Sequence, residues 1–300
     1  MDDAIAPGDI STRALKAWSQ SKRRQRRPHW WRGHELALAG ALFLLVVILG
    51  AVFAPALTPH SPTDPNIRER LRPPSLSHPF GTDELGRDIL TRVLFGARPV
   101  LLTGATSVLV ALVLGGLIGG LSGFYGGLVD TILMRLMDLV LSFPAILLAI
   151  LIVAALGAGM GNLVIAIAFS MIPIFARLGR SLALRLRQQD YVLAGRTIGC
   201  TDAALLRRHI MPNLIPLLLV QAVSMLAVAF STSAALSFLG LGVAPPTPDW
   251  GLMVSEGQRL IFDAPHVPFF PGLMITLTVM SMNFVGDSLH QYVDPTLRQR

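Results

Sequence analysis

The sequence predicts an all-α polytopic membrane protein with about six transmembrane helices. Three observations support this. Residues 36–57, 99–121, 139–156, 163–176, 214–236 and 267–285 contain no Asp, Glu, Lys or Arg. Only 14% of residues are charged and 52% are hydrophobic, whereas soluble domains carry about 25% charged residues. The basic residues also cluster in particular gaps between the apolar runs, as they do on the cytoplasmic side of membrane proteins.

Residues 1–34 form a basic tail that includes Arg13, Lys16, Lys22, Arg23, Arg24, Arg26, Arg27 and Arg32, with Trp30 and Trp31 placed as an interfacial anchor. The first run is long enough to span a bilayer, which needs about 20 apolar residues. It follows a basic flank and ends near Ala54-Pro55-Ala56, but at 22 residues it exceeds the apolar core of a signal peptide. It therefore reads as an uncleaved anchor. Residues 35–98 comprise this helix, a proline-rich outer loop and an amphipathic segment. In that segment, over 83–98, Leu85, Ile89 and Val93 share one side.

Residues 99–289 form a core of five further spans. The second is dense in small residues (Gly115, Gly116, Gly119, Gly120, Gly123), which allow close helix approach in lipid. The third begins near Thr131 and carries Arg135 and Asp138, spaced for pairing on one helix. Pro144 and Pro173 are expected to kink their spans. The fourth run is short and spans only if its flanks join the helix. Residues 290–300 form a C-terminal tail.

Charge sets the topology. The net charge is +7, but in so apolar a chain it marks orientation rather than nucleic-acid binding. The segment 177–213 holds Arg177, Arg180, Arg185, Arg187, Arg196, Arg207 and Arg208, whereas the gap between the fifth and sixth runs holds only Arg259. With the tail inside, four crossings return the chain to the inside at 177–213, so both termini are expected in the cytoplasm. The segment 58–98 carries six arginines on the outer side, but long loops follow the rule weakly.

The spans lack the mid-depth carboxylates and histidines that proton- or ion-coupled transporters use. Asp130, Arg135, Asp138 and Asp287 fall near predicted cytoplasmic ends. The only lysines, Lys16 and Lys22, follow Leu15 and Ser21, so there is no P-loop. The seven histidines show no close metal-ligand spacing, the lone Cys200 excludes a multi-cysteine site and reads as a buried or interfacial thiol, and no catalytic arrangement stands out. The chain is read as a non-enzyme without a cofactor or metal of its own. A self-sufficient secondary transporter or channel is the rival class, disfavoured by these charge-poor spans.

The segment 177–213 predicts two short helices. Asp190 is placed to cap a helix starting at Tyr191, and Gly199 to stop it. Tyr191, Ala194, Gly195 and Ile198 share a face whose small residues admit close approach by a partner. Thr201 is placed to cap a second helix with Asp202 in its first turn. Arg207, Arg208 and His209 fall in its last turn, and Pro212 ends it.

Here the chain resembles the permease subunits of binding-protein-dependent ABC importers. Their cytoplasmic signature reads E-A-A, three residues, G, about nine residues, then I-x-L-P. The counterpart is Leu193-Ala194-Gly195, then Gly199, then Ile210-Met211-Pro212. Leu193 replaces the Glu and Gly195 the second Ala, so the polar contact of that Glu is not carried over.

Gly81-Thr82-Asp83-Glu84-Leu85-Gly86-Arg87-Asp88, Leu236-Ser237-Phe238-Leu239-Gly240-Leu241-Gly242, Pro245-Pro246-Thr247-Pro248-Asp249-Trp250-Gly251, Pro271-Gly272, Asn283, Gly286-Asp287 and Asp294-Pro295 narrow the match. They resemble the C-type permeases of the dipeptide, oligopeptide, glutathione and nickel group, over about residues 36–297.

The resemblance implies a type I ABC importer permease fold in a bacterial inner membrane. It implies a homologous second permease, two ATP-binding subunits or domains that hold ATP and Mg, and an external substrate-binding protein. Residues 190–210 would plug into an ATPase groove. Peptides are the favoured cargo, with nickel, glutathione or another small solute as alternatives. Gln221 either lines a pathway or bonds between helices. The loop 241–266 with Trp250 is either an outer gate or binding-protein receptor, or an interfacial anchor. Arg87 and Asp88 read as local structure rather than substrate ligands.

Overall fold

The computed structural model describes residues 30–293, with side chains from 35 to 290. The basic tail, the Trp30–Trp31 anchor side chains and Asp294-Pro295 lie outside these described residues and side chains.

Helix α1 (Trp30–Val52) leads into a helical turn at Ala54–Leu57. The prolines of 59–79 then hold an irregular loop. Helix α2 (Ile89–Tyr125) runs 37 residues without interruption, about 55 Å at 1.5 Å per residue. This corrects the separate amphipathic helix expected over 83–98. Residues 83–88 form a turn, Asp88 caps α2 through Thr91 N, and the helix continues through Pro99. Ile89, Val93 and Ala97 are held inside by packing with Trp250 and Met253, so the segment does not lie at an interface.

Helices α3 (Gly127–Leu141) and α4 (Ala145–Leu156) meet at 88° across Ser142-Phe143-Pro144. The missing N–H of Pro144 and the restriction it imposes on Phe143 put the break there. Helix α5 (Met160–Leu186) is 27 residues long, so its flanks do join the short fourth run, and it passes through Pro173. Helix α6 (Asp190–Thr197) and a single turn, α7 (Asp202–Leu205), follow. A π-turn at Leu206–Ile210 leads into α8 (Met211–Phe238). Then come α9 (Trp250–Gly257) and α10 (His266–Val293). Five of the described helical stretches are long and apolar enough to cross a membrane, and the bent α3–α4 pair makes a sixth if it counts as one span.

Two faces of α2 use its glycines. A Cβ at Gly115 would lie 2.6 Å from Ile172 O, and one at Gly123 2.5 Å from Arg180 O. Gly119 abuts Ala176 O in the same way. These residues, spaced by four, bring α2 against the α5 backbone, while Gly116 and Gly120 meet Leu218 and Met211 on α8. In lipid such packing supplies the association that water would otherwise drive.

The apolar interior falls into two parts. The larger joins α2, α4, α5 and α8 around Phe124, Phe175, Leu163, Ile167 and Leu214. The smaller joins α1, α2, α8, α9 and α10 around Val47, Ile89, Val93, Trp250 and Met282. The chain ends of the helices thus sort into a basic end, with 125–130 and 187–211, and an opposite end, with 53–88 and 239–266.

Candidate functional site

At the basic end, α6 stops as expected. Gly199 has φ +84, Gly199 N–H donates to Arg196 O at 3.1 Å and Cys200 N–H to Gly195 O at 3.0 Å. This is a left-handed glycine stop that satisfies two terminal carbonyls. Thr201 Oγ1 accepts from Ala204 N–H at 3.3 Å, capping α7. Asp190 lies in the first turn of α6 rather than at its cap, which is Gln189 with no side-chain bond. Asp202 is exposed, 3.7 Å from the Arg196 guanidinium.

Pro212 does not end the second helix. The π-turn shifts the hydrogen-bond register there, with Met211 N–H donating to Leu206 O. Pro212, which has no N–H, sits in the first turn of α8, where a donor is dispensable. Arg207, Arg208 and His209 consequently lie within this turn and not at a helix end.

The expected four-residue face divides. Tyr191, Ala194 and Ile198 are exposed, with Ile198 80% accessible. Gly195 instead faces inward, and a Cβ there would lie 2.7 Å from Leu205 Cδ2. Its small size serves the α6–α7 contact. Leu193 is also exposed.

Ile210 is fully buried, as are Val192 and Leu205, two residues the sequence reading did not select. All three belong to the larger apolar cluster, with Phe124 and Leu214. Val192 was hidden because apolar residues occupy consecutive positions 191–193, which leaves helical periodicity ambiguous. The Arg196 guanidinium lies 5.5 Å from the Phe124 ring centre, and Arg187 Nη1 donates to Gly123 O at 3.2 Å.

Neighbouring charges tie the helices at this end. Arg180 grips both carboxylate oxygens of Asp130, with Nη2 at 2.6 Å, and Ser122 Oγ donates to the same group. Asp138 pairs with Arg177 on α5 at 2.7 Å, not with Arg135 as its spacing suggested. The inter-helix partner wins because α5 brings its guanidinium alongside. Cys200 is exposed, so of the two expected placements the buried one is corrected.

At the opposite end, the Gly81–Asp88 segment forms a knot. Asp83 Oδ1 accepts from Leu85 and Arg87 N–H at 2.9 Å each, and Asp83 Oδ2 accepts from Arg87 Nε at 2.7 Å. Arg92, with 1% of its side chain exposed, reaches Asp83 Oδ2 at 3.5 Å and Glu256 Oε2 at 3.3 Å. The α2 N-terminus is thereby ionically joined to α9. Gly86, at φ +72, sits against Asn66 O, where no side chain fits. Arg87 and Asp88 thus have local structural partners.

A cleft of about 240 Å³ opens over this knot, lined by Glu84, Arg87, Arg92, Glu256 and Arg259 among others. Trp250 is 1% exposed and its indole N–H donates to Val93 O at 2.8 Å, placing it in the seam between α9 and α2. Asp249 caps α9 through Gly251 N–H at 2.9 Å and Leu252 N–H at 3.2 Å. Burial pushes its carboxyl above the usual range, against the pull of these two bonds. Gln221 is half-buried on α8. Among the described residues, His60, His78 and Asp88, far apart in the sequence, converge.

Residues 111–299 match the family model described as binding-protein-dependent transport system inner membrane component. Residues 30–74 match the N-terminal TM domain of oligopeptide transport permease C. A dipeptide transport system permease protein of Alkalihalophilus pseudofirmus is 39% identical over 97% of this chain and 94% of that protein. A glutathione transport system permease protein of Escherichia coli is 42% identical over 98% of this chain and 94% of that protein.

Among solved structures, a chain of an inward-facing methionine ABC transporter superposes with TM-score 0.55 at 18% identity, covering 68% of this chain and 96% of that one. That likeness shows a shared fold. With the family model covering most of the membrane core, the chain belongs to the binding-protein-dependent transport system inner membrane components.

Proposed function

We propose that this chain is one permease subunit of an ATP-driven importer of di- or oligopeptides, and that α6 and α7 couple it to a partner ATPase. The carrying observation is the construction of that unit. Tyr191, Leu193 and Ile198 face outward, while Val192, Leu205 and Ile210 are rooted among α2, α5 and α8. A partner gripping the outer residues would move the helices through the buried ones. Such apolar anchors in a rigid patch are the usual carriers of interface energy.

The remaining parts follow from family membership and the charge pattern. A homologous second permease completes the pathway, two ATP-binding subunits or domains supply ATP and Mg, and a binding protein delivers cargo to the opposite end. The basic end and both termini face the cytoplasm of the cell whose inner membrane holds the chain. Peptide cargo rests on the dipeptide and oligopeptide relatives, and the glutathione relative points to a small γ-linked peptide as the second choice.

The test is reconstitution in proteoliposomes with the cognate second permease, ATPases and binding protein. The expected result is ATP-dependent uptake of labelled peptide and a cross-link from Ile198→Cys, in a Cys200→Ser background, to an ATPase. Peptide uptake by this chain alone, or the absence of any cross-link at 198, would overturn the coupling assignment. Transport of nickel but not peptide would overturn the cargo.

A further inference from the structure

We propose that His60, His78 and Asp88 form a binding site for a divalent transition-metal ion at the end opposite the basic loop. One ligand atom from each of the three lies within 4.8 Å of the others. They come from three separate segments: the loop after α1, the turn at 75–81, and the N-cap of α2.

Two of the ligands are preorganised. His78 and Asp88 are both buried, at 4% and 3% exposure. His78 is pinned by its backbone: its N–H bonds Ser75 Oγ at 3.2 Å, and its carbonyl accepts from the N–H groups of Ser75 and Gly81 at 2.8 Å each. The second oxygen of Asp88 is fixed by Thr91 N and Oγ1, at 2.7 Å each. That leaves Oδ1, at hydrogen-bond distance from His78 Nδ1, 3.0 Å, so the two need part by only about 0.4 Å to share an ion.

The opposite ring nitrogen, Nε2, lies 3.3 Å from Glu69 Oε2. A ligating histidine that gives its other N–H to a carboxylate is the usual arrangement around a bound metal. His60 completes the set from the solvent side, its ring centre 4.9 Å from that of His78. Metal bonds of 2.0–2.1 Å place ligand atoms about 3.4 Å apart in a tetrahedral set, so from a spread of up to 4.8 Å the exposed His60 must close by about 1.4 Å.

Two imidazoles and one carboxylate favour zinc, nickel, cobalt or copper over magnesium or calcium. Bound there, the ion staples the outer loop to the start of α2. It is a resident of the fold and separate from the transported cargo.

The probe is zinc, titrated calorimetrically into the full chain purified without an oligohistidine tag, with cobalt absorption as a second readout. One zinc per chain is expected at this site, with affinity falling at least tenfold in His60→Ala, whose side chain is exposed and dispensable to the fold. Asp88→Asn keeps the helix cap and is expected to weaken zinc similarly, and Glu69→Gln to weaken it about tenfold. No zinc binding by the parent chain, or equal affinity in His60→Ala, would overturn the site and leave His78 as a hydrogen-bonded bridge between two carboxylates.

Discussion

At one end of the bundle, the loop after α1 and the helix α9 are joined to α2 by an ion network of the buried Asp83, Arg87 and Arg92 with the half-exposed Glu256. At the other end, α6 and α7 are joined to α2 and α8 by three buried apolar side chains and one cation–π contact. Their outer surface is left open, with Tyr191, Leu193 and Ile198 exposed among charged residues such as Arg196 and Asp202. The first kind of join is brittle, because removing one ion takes a partner from charges held out of water. The second tolerates small displacements, since dispersion contacts are individually weak. A segment that must hold a loop still suits the first, and one that a partner must push suits the second.

Breaking the charged join should have the largest effect. Arg92→Ala empties a buried guanidinium site and leaves Asp83 and Glu256 to Arg87 alone, and is expected to cost about 3 kcal/mol, the low end for a broken buried pair, read as a drop in melting temperature of the solubilised chain. Arg92→Lys should recover only part of this, because an ammonium cannot reach both carboxylates as a guanidinium does.

Next is the crossing both ends depend on. Gly119→Leu places a side chain against Ala176 O, and overpacking of about 1–3 kcal/mol is expected, read as a lower yield of folded chain and a lower melting temperature.

The join at the basic end should respond more mildly. Thr201→Ala removes the α7 cap, worth about 1 kcal/mol. Faster hydrogen exchange confined to 199–206, with an unchanged global melting temperature, is the expected signature. An equal shift in both readouts would mean the plug unfolds with the whole core.

Asp249 gives the smallest and most pH-specific effect. Its folded-state acidity is weakened, so the native state holds its proton to higher pH than the unfolded chain does. Its unfavourable contribution is absent below the unfolded pKa and grows as pH rises through the folded one. Asp249→Asn keeps the cap and should remove that part of the pH dependence in melting curves.

The sequence carried the spans because lipid leaves apolar, charge-free runs few alternatives to helix. It also carried the Pro144 break, the Gly199 stop and the Thr201 cap, each of which acts within a few residues. It did not carry the fusion of 89–98 with the second span, since a turn of helix on either side of Pro99 looks the same whether or not it is continuous. The partner of Asp138, the inward turn of Gly195 and the meeting of His60, His78 and Asp88 depend on segments far apart in the chain. Pro212 misled for a local reason: the π-turn before it absorbs the lost hydrogen bond.

The most direct test of the division between the two ends is ATP-dependent uptake by Ile198→Asp in the fully reconstituted importer. The account predicts normal membrane insertion, a parental melting temperature, and uptake reduced at least tenfold. Parental uptake rates in that variant would contradict the assignment of α6 and α7 as the coupling element.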